Sequence, residues 1–192
     1  AIRHPHNVGY GGNQKTCYME ALRDASTGIV VMLHPDGQYD PAILPEMIRP
    51  IQEGRADMVL GSRMMLPGGA ARGGMPLWKR IANRFLTTAE NLAMGRQFSE
   101  CHTGYRAYSR RFLETVPFLR NANGFVFDTE VIFQAVHFGL RVVEVPISTR
   151  YFADASSVGF RAGVVYGLGT LATAGRFLLH RWGVISSEKF RS

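Results

Sequence analysis

Three polar side chains at alternate positions, His34, Asp36 and Gln38, follow a short apolar run and precede Asp40-Pro41. A carboxylate and a carboxamide so placed can hold a divalent cation that carries a diphosphate, because Mg²⁺ takes one or two carboxylates and shares its other positions with phosphate and water. The same residues also spell a plain turn, in which Asp36 bonds its own backbone and Asp40 caps the next helix. Taken alone, the segment leaves both readings open. Over residues 61–111 stand Arg63, Arg72, Lys79, Arg80, Arg84, Arg96, Arg106, Arg110 and Arg111 against only Glu90 and Glu100. Residues 159–192 add Arg161, Arg176, Arg181, Lys189 and Arg191 against Glu188. Dispersed among glycine, tryptophan and apolar residues, these cations suit a phosphate pocket and a lipid-facing tail better than a duplex-binding stripe.

The elements that must position these groups follow from period and punctuation. Asn7-Val8-Gly9-Tyr10-Gly11-Gly12-Asn13 reads as a turn-rich loop leading into a helix over 14–24. Gly28-Ile29-Val30-Val31-Met32-Leu33 is a strand covered on both faces, and His34 to Asp40 lie at its carboxyl end. With Asp40 as N-cap and Pro41 in the first turn, a helix runs to about 53, and a second buried strand covers 57–61. A Gly-rich loop over 67–74 leads to a long helix over 76–94. On it Leu77, Ile81, Phe85, Thr88 and Leu92 form an apolar stripe expected to face the core, beside a polar stripe of Arg80, Arg84, Thr87 and Asn91. Later come a short strand over 105–108, a helix over 127–138 with Gly139 as its C-cap, and a strand over 142–147. The glycine-rich helical pattern over 159–182 ends in Arg176, Phe177, His180, Arg181 and Trp182, the make-up of an interfacial helix. Alternating helix and strand predicts a doubly wound α/β sheet, with ligands beyond the carboxyl ends of its strands.

Composition narrows the classes. A formal charge of +7, 46% hydrophobic residues and 19% charged residues exclude a disordered chain. Cys17 and Cys101 are too few for a disulfide scaffold and are expected as free, buried thiols in a reducing compartment. His4, His6, His102, His137 and His180 share no metal-ligand spacing. No signal-peptide pattern is visible, and the uncharged run over 162–175 is shorter than a bilayer span, so membrane contact is expected at the surface.

Six motifs occur in order: Asn7-Val8-Gly9-Tyr10-Gly11-Gly12; His34-Pro35-Asp36-Gly37-Gln38-Tyr39-Asp40-Pro41; Ala56-Asp57-Met58-Val59-Leu60-Gly61-Ser62-Arg63; Thr103-Gly104-Tyr105-Arg106-Ala107-Tyr108; Phe127-Asp128-Thr129-Glu130; and Glu144-Val145-Pro146-Ile147. Together they resemble the family 2 glycosyltransferases, in their polyprenyl-phosphate (dolichyl-phosphate mannose synthase-like) branch, over about residues 7–183. The resemblance implies a GT-A fold: a Rossmann-like, mostly parallel sheet with helices on both faces, here with the first βαβ unit missing. It implies a partial catalytic domain over 1–158 and an amphipathic, membrane-proximal region over 159–192.

The implied reaction is an inverting transfer of sugar from a nucleotide sugar to a polyprenyl phosphate. Asp36 and Gln38 match the family's metal and diphosphate motif, whereas His34 stands where that motif has its first Asp. Mg²⁺ or Mn²⁺ is the implied cofactor, and imidazole in the set favours Mn²⁺ or weak metal dependence. Glu100 takes the position assigned to the acceptor side, as candidate catalytic base beside Asp36. A phosphate monoester with a second pKa of about 6 is already largely dianionic at neutral pH, so positioning and charge neutralisation should dominate. Arg63, Arg80, Arg84, Arg106 and Arg150 are the candidates to grip acceptor phosphate or diphosphate, with solvated surface charge as the competing reading.

Glu130 reads equally as part of a helix start capped through Asp128, and Ser156-Ser157 as an N-cap. The expected partners are nucleotide sugar, polyprenyl phosphate and a membrane surface, with no nucleic acid and with a homo-oligomer left open. The expected location is cytoplasmic, peripheral on the inner face of the membrane. Two alternatives stand beside this reading: a family 2 transferase with a soluble glycan or protein acceptor, and a non-catalytic basic module that binds nucleic acid or membrane.

Overall fold

The computed structural model describes residues 1–150 and 159–191, without the side chain of Phe160. Ser156-Ser157, and the expected domain boundary beside it, lie outside the described residues. Helix α1, Tyr10–Arg23, begins earlier than the glycines suggested. Gly9 adopts φ 79 ahead of it, and Gly11 packs so close to the Ala122 carbonyl and Phe127 that a side chain there would collide. The glycines thus admit a helix start against a neighbour instead of forming a loop. Strand β1, Ile29–Met32, leads to a single 3₁₀ turn, Pro41–Ile43, where the Asp40 carboxylate accepts from the Ala42 N–H at 2.9 Å. Helix α2, Leu44–Gln52, and strand β2, Met58–Ser62, follow. A short α3, Gly69–Arg72, precedes the long α4, Leu77–Met94. Strand β3, Arg106–Ser109, turns directly into α5, Arg110–Thr115, because the Ser109 hydroxyl caps it by accepting from the Phe112 N–H. Helix α6, Phe127–His137, strand β4, Val142–Pro146, and helix α7, Phe160–Arg181, complete the regular elements, with Gly139 at φ 67 after α6.

The sheet order is β1-β3-β2-β4. β3 runs antiparallel to both β1 and β2, and only β2 and β4 pair in parallel. The sheet is therefore mixed instead of mostly parallel. A strand buried on both faces carries the same apolar run whichever way its neighbour points, so composition could not give the direction of β3. Helices do cover both faces. Met58, Leu60 and Tyr108 join Tyr18, Phe112, Phe127, Phe133 and Phe177 on one side, while Val59, Tyr105 and Ala107 join Met47 and Ile147 on the other. Alternation along each strand divides one sheet between two cores.

Helix α4 has the expected extent and the opposite orientation. Its buried residues are Asn83, Leu86, Thr87, Glu90, Ala93 and Met94, whereas Leu77, Ile81, Phe85 and Leu92 are each more than 60% exposed. The expected core stripe faces outward. Polar residues turn inward because the segment after α4 supplies their partners: Asn83 donates to Glu100, Thr87 accepts from the Cys101 N–H, and Glu90 meets His102. Helix α7 is long and apolar enough, by length and composition, to cross a bilayer. It nevertheless packs on the body: a side chain at Gly163 would touch Trp78, one at Gly167 would touch Leu86, and Thr170, Ala174 and Phe177 are buried. Cys17 is exposed and Cys101 buried, so only one of the two thiols lies where the sequence reading put it.

Candidate active site

The carboxyl end of β1 carries His34, Asp36 and Gln38. Asp36 Oδ1 accepts from the Gln38 N–H at 3.1 Å, the turn geometry of the plainer reading, while the Asp36 side chain stays half-buried and Gln38 is buried. Two contacts tie this turn to residues 103–106. The Gly104 N–H donates to the Tyr39 hydroxyl at 2.9 Å, and the His34 ring lies so close to Gly104 that an added Cβ would sit 2.8 Å from its Cε1. On the other flank the Arg150 N–H donates to the Gln38 carbonyl at 3.1 Å, with its side chain exposed. The segment before β3 and the segment after β4 therefore converge on the turn over 34–39, which carries Asp36 and Gln38.

The His34 ring is engaged by the start of α1. Its Nε2 lies 3.3 Å from the Tyr10 hydroxyl, and that hydroxyl donates to Asp128 Oδ2 at 2.8 Å. Burial and the neighbouring Asp128 raise the Tyr10 phenol far above its ordinary range, which keeps it a proton donor. Burial likewise raises the Asp128 carboxyl, with Arg106 and Tyr10 opposing that rise. Among the described residues no group of three or more His, Cys, Asp or Glu side chains could hold a metal ion. The donor set therefore suits a cation only as one carboxylate shared with a diphosphate, because a single Asp cannot fill the shell of a hard cation.

Two arginines expected to grip phosphate serve the fold instead. Arg106 is fully buried: it donates to the carbonyls of Thr103 at 2.8 Å, Asp128 at 2.9 Å and Cys101 at 3.0 Å, and pairs with Asp128 Oδ2 at 3.6 Å. Arg63 is buried at the carboxyl end of β2 and clasps Glu100 through its side chain, its Nε at 2.8 Å, and its backbone N–H at 2.7 Å. Asn83 donates to the same carboxylate at 2.8 Å, and the His102 carbonyl accepts from Arg63 at 2.6 Å. Burial pushes the Glu100 carboxyl up; the charge and hydrogen bonds of Arg63, aided by Asn83, outweigh that and hold it below the usual carboxylate range. An ionised carboxylate gripped this way has the character of an anchor. Arg80 is partly buried and Arg84 exposed, both on α4. Two hollows of about 400 and 470 Å³ surround the end of α4, lined in part by Asn91, Arg96 and Phe98 and by Met94, His137 and Phe177, and neither includes Asp36.

Several positioning residues escaped the sequence reading. Glu144 in β4 accepts from the N–H groups of Ser99 and Glu100 and from the Ser99 hydroxyl at 2.6 Å, and so fixes the segment that carries Glu100. A carboxylate inside the run Val142-Val143-Glu144-Val145 was the available signal. His102 lies 3.0 Å from Glu90 through Nε2 and 2.7 Å from the Tyr166 hydroxyl through Nδ1, which joins α4 to α7. No local spacing announces that trio. Glu130 proves structural, accepting from the Ala122 N–H at 2.6 Å and pairing with Lys189, while the N-cap position of α6 is Val126, with no side-chain cap.

Comparison with known proteins adds a second line. The family model described as "Glycosyl transferase family 2" matches residues 1–116. The chain is 32% identical over 147 residues to a low-salt glycan biosynthesis hexosyltransferase of Haloferax volcanii, covering 75% of this chain and 33% of that protein. It is 30% identical over 151 residues to a UDP-N-acetylglucosamine–dolichyl-phosphate N-acetylglucosaminyltransferase of Methanococcus voltae, covering 79% and 59%. A polyprenol monophosphomannose synthase of Mycolicibacterium smegmatis is 30% identical over 121 residues, covering 62% and 44%. The chain thus spans less than two thirds of the length of these relatives. Among solved structures, glucosyl-3-phosphoglycerate synthase of Mycobacterium tuberculosis with phosphoglyceric acid superposes with a TM-score of 0.61 at 20% identity, covering 96% of this chain and 58% of that one. The same enzyme with Mn²⁺, uridine diphosphate and glucosyl-3-phosphoglycerate gives 0.60 at 19%, covering 96% and 58%. These likenesses show the GT-A fold.

Proposed function

The chain belongs to glycosyl transferase family 2, and from that membership we propose that it transfers a sugar from a nucleotide sugar to a polyprenyl phosphate. The observation that carries this is the convergence of the Gly104 segment and Arg150 on the turn after β1 that carries Asp36 and Gln38. In an α/β sheet that is where ligands bind. The names of the relatives from Methanococcus and Mycolicibacterium supply the acceptor class.

In the proposed step an acceptor phosphate oxygen attacks the anomeric carbon from the face opposite the diphosphate. A carbon–oxygen bond forms as the bond to the leaving diphosphate breaks with its electron pair, and the anomeric configuration inverts. A dianionic phosphate needs no base to release a proton, so Glu100 acts as an anchor that sets Arg63 and the loop over 99–106. A bound divalent cation would neutralise charge on the departing diphosphate. Asp36 would hold that ion, and Gln38 would stand beside the diphosphate. Arg80, Arg84 and Arg150 are the remaining candidates to meet phosphate, since Arg63 and Arg106 are committed inside the fold.

We assign the catalytic part to residues 1–158 and the membrane side to 159–192, with the protein peripheral on the cytoplasmic face. The fold neighbour bound to phosphoglyceric acid favours a second reading, a soluble phosphorylated acceptor. Assay of the chain, together with any sequence that precedes it in its gene, against nucleotide sugars with polyprenyl phosphate or phosphoglycerate separates the two. Transfer to polyprenyl phosphate that Asp36→Ala abolishes is the expected result. Transfer only to phosphoglycerate would overturn the lipid acceptor, and undiminished transfer by Asp36→Ala would overturn the site.

A further inference from the structure

The larger of the two hollows at the end of α4, about 470 Å³, lies where three helices finish. Met94 comes from α4, Val136 and His137 from α6, and Phe177 and Arg181 from α7, while Arg96 follows the Gly95 turn that closes α4. Strand direction fixes where this is. β1 and β2 both run antiparallel to β3, and β4 runs parallel to β2, so β1, β2 and β4 point the same way. Asp36 lies past the carboxyl end of β1, whereas α6 ends at His137, ahead of the amino end of β4 at Val142. The hollow therefore sits at the opposite end of the sheet from the candidate active site, and no step of the proposed transfer uses it.

Its lining has a definite chemistry. Arg96 and Arg181 are exposed, and neither guanidinium has a hydrogen bond or ion pair among the described residues. No acidic side chain of the described residues lines the hollow. His137 is half-buried against Phe177, His180 and Phe190, and burial, with His180 adding to it, lowers its imidazole below the ordinary range, so it meets a ligand as a neutral ring. Met94, Val136 and Phe177 supply an apolar floor. Pockets of this size that take small molecules combine such a floor with a few polar groups. Two guanidiniums with no carboxylate beside them select a phosphate, which each can meet through paired N–H donors. We propose that the hollow between the last turns of α4, α6 and α7 binds a soluble phosphate monoester with an apolar or aromatic body, its phosphate on Arg96 and Arg181 and its body on Met94, Val136 and Phe177. A cation near each helix end also complements the helix carbonyls. That effect alone accounts for the two charges, and it predicts no saturable ligand.

Phenyl phosphate is the probe, because it joins a phosphate to one ring. The full chain is titrated with it by calorimetry, and the ring resonances of His137, assigned with His137→Gln, are followed by nuclear magnetic resonance. The expected result is saturable binding that shifts the His137 signals, weakens as salt rises, and is roughly threefold tighter than that of inorganic phosphate, since the ring covers apolar floor. Arg96→Gln with Arg181→Gln should weaken phenyl phosphate roughly tenfold or more, because both charge-assisted partners are lost. Arg23→Gln, exposed on α1 and paired with Glu20, should not change it. Both replaced arginines are exposed, and circular dichroism checks that the double variant remains folded. Vesicles carrying phosphatidic acid, the same headgroup chemistry on a lipid, form a second arm.

Each of four results would overturn the inference. The first is no saturable binding of phenyl phosphate, which would leave Arg96 and Arg181 as complements to the helix ends. The second is binding unchanged in the double variant, and the third is binding that leaves the His137 signals in place and is lost instead in Arg80→Gln with Arg84→Gln, which would put the phosphate near the transfer site. The fourth is capture on phosphatidic acid vesicles without binding of phenyl phosphate, which would make the ligand a lipid. No sugar transfer enters the experiment, so any of these would leave the proposed chemistry to be judged on its own assay.

Discussion

The Tyr166 hydroxyl stands 2.7 Å from His102 Nδ1, and the opposite ring nitrogen of His102 stands 3.0 Å from the Glu90 carboxylate. Burial raises the Tyr166 phenol above its ordinary range, so the hydroxyl keeps its proton. One imidazole thus links α4 and α7 to the segment before β3. Tyr166→Phe leaves the buried Nδ1 without its hydroxyl partner and should cost about 1–2 kcal/mol, read by urea denaturation. Hydrogen exchange in α7 should quicken in the same variant; unaltered protection there would argue against the link.

Glu100→Gln tests anchor against base. Losing the carboxylate charge leaves Arg63 buried without its counter-ion, and the expected destabilisation is about 3–5 kcal/mol. Replacing both residues by methionine should recover most of that loss. A general-base role predicts a different pattern: near-native stability, and loss of the acidic limb from the pH dependence of turnover.

Asp57 gives a pH dependence of stability. Hydrogen bonds from Arg141 hold its carboxyl below the ordinary range against the opposing effect of burial, with bonds at 2.9, 3.0 and 3.1 Å. The folded pKa lies below the unfolded value, so the unfolded chain binds more protons in that window. The contribution is complete above roughly pH 4 and is lost as pH falls through the lower folded value. Denaturant midpoints measured from neutral to acidic pH should fall less steeply for Asp57→Asn than for the native chain. Parallel curves would contradict the assignment.

His34→Asp should strengthen Mn²⁺ binding. Aspartate is shorter than histidine, so it fits against Gly104 where the ring now presses, and it supplies a second carboxylate two positions from Asp36 in the same turn. Affinity should rise roughly tenfold in titrations followed by electron paramagnetic resonance, since affinity for hard cations rises with ligand charge. Equal affinity in the two proteins would mean that position 34 does not face the ion.

Cys17 is exposed, whereas burial and the nearby Glu90 raise the Cys101 thiol well above its ordinary range. An aromatic disulfide reagent should label Cys17 in the native protein and reach Cys101 only after denaturant is added. Rapid labelling of both would show that the segment around Cys101 opens.

Much of the frame was legible in local pattern. Asp40 caps where expected and Gly139 closes α6 because each of these signals acts within a few residues. The facing of α4 was not legible, because Asn83, Thr87 and Glu90 turn inward to meet Glu100, Cys101 and His102, partners that no helical period encodes. The commitment of Arg63 and Arg106 inside the fold was not legible for the same reason. Whether a guanidinium meets solvent or a buried carboxylate depends on contacts such as Arg63 with Glu100, 37 positions apart. Asp36 was legible because its place is set by the end of one strand.

Arg106 holds three backbone carbonyls in the interior. Thr103-Gly104-Tyr105-Arg106 therefore records the architecture of the chain more than its chemistry. Any chain of this shape, whatever its chemistry, would need that arginine to close the turn before β3. That tetrapeptide by itself therefore says little about whether a chain of this shape transfers sugar.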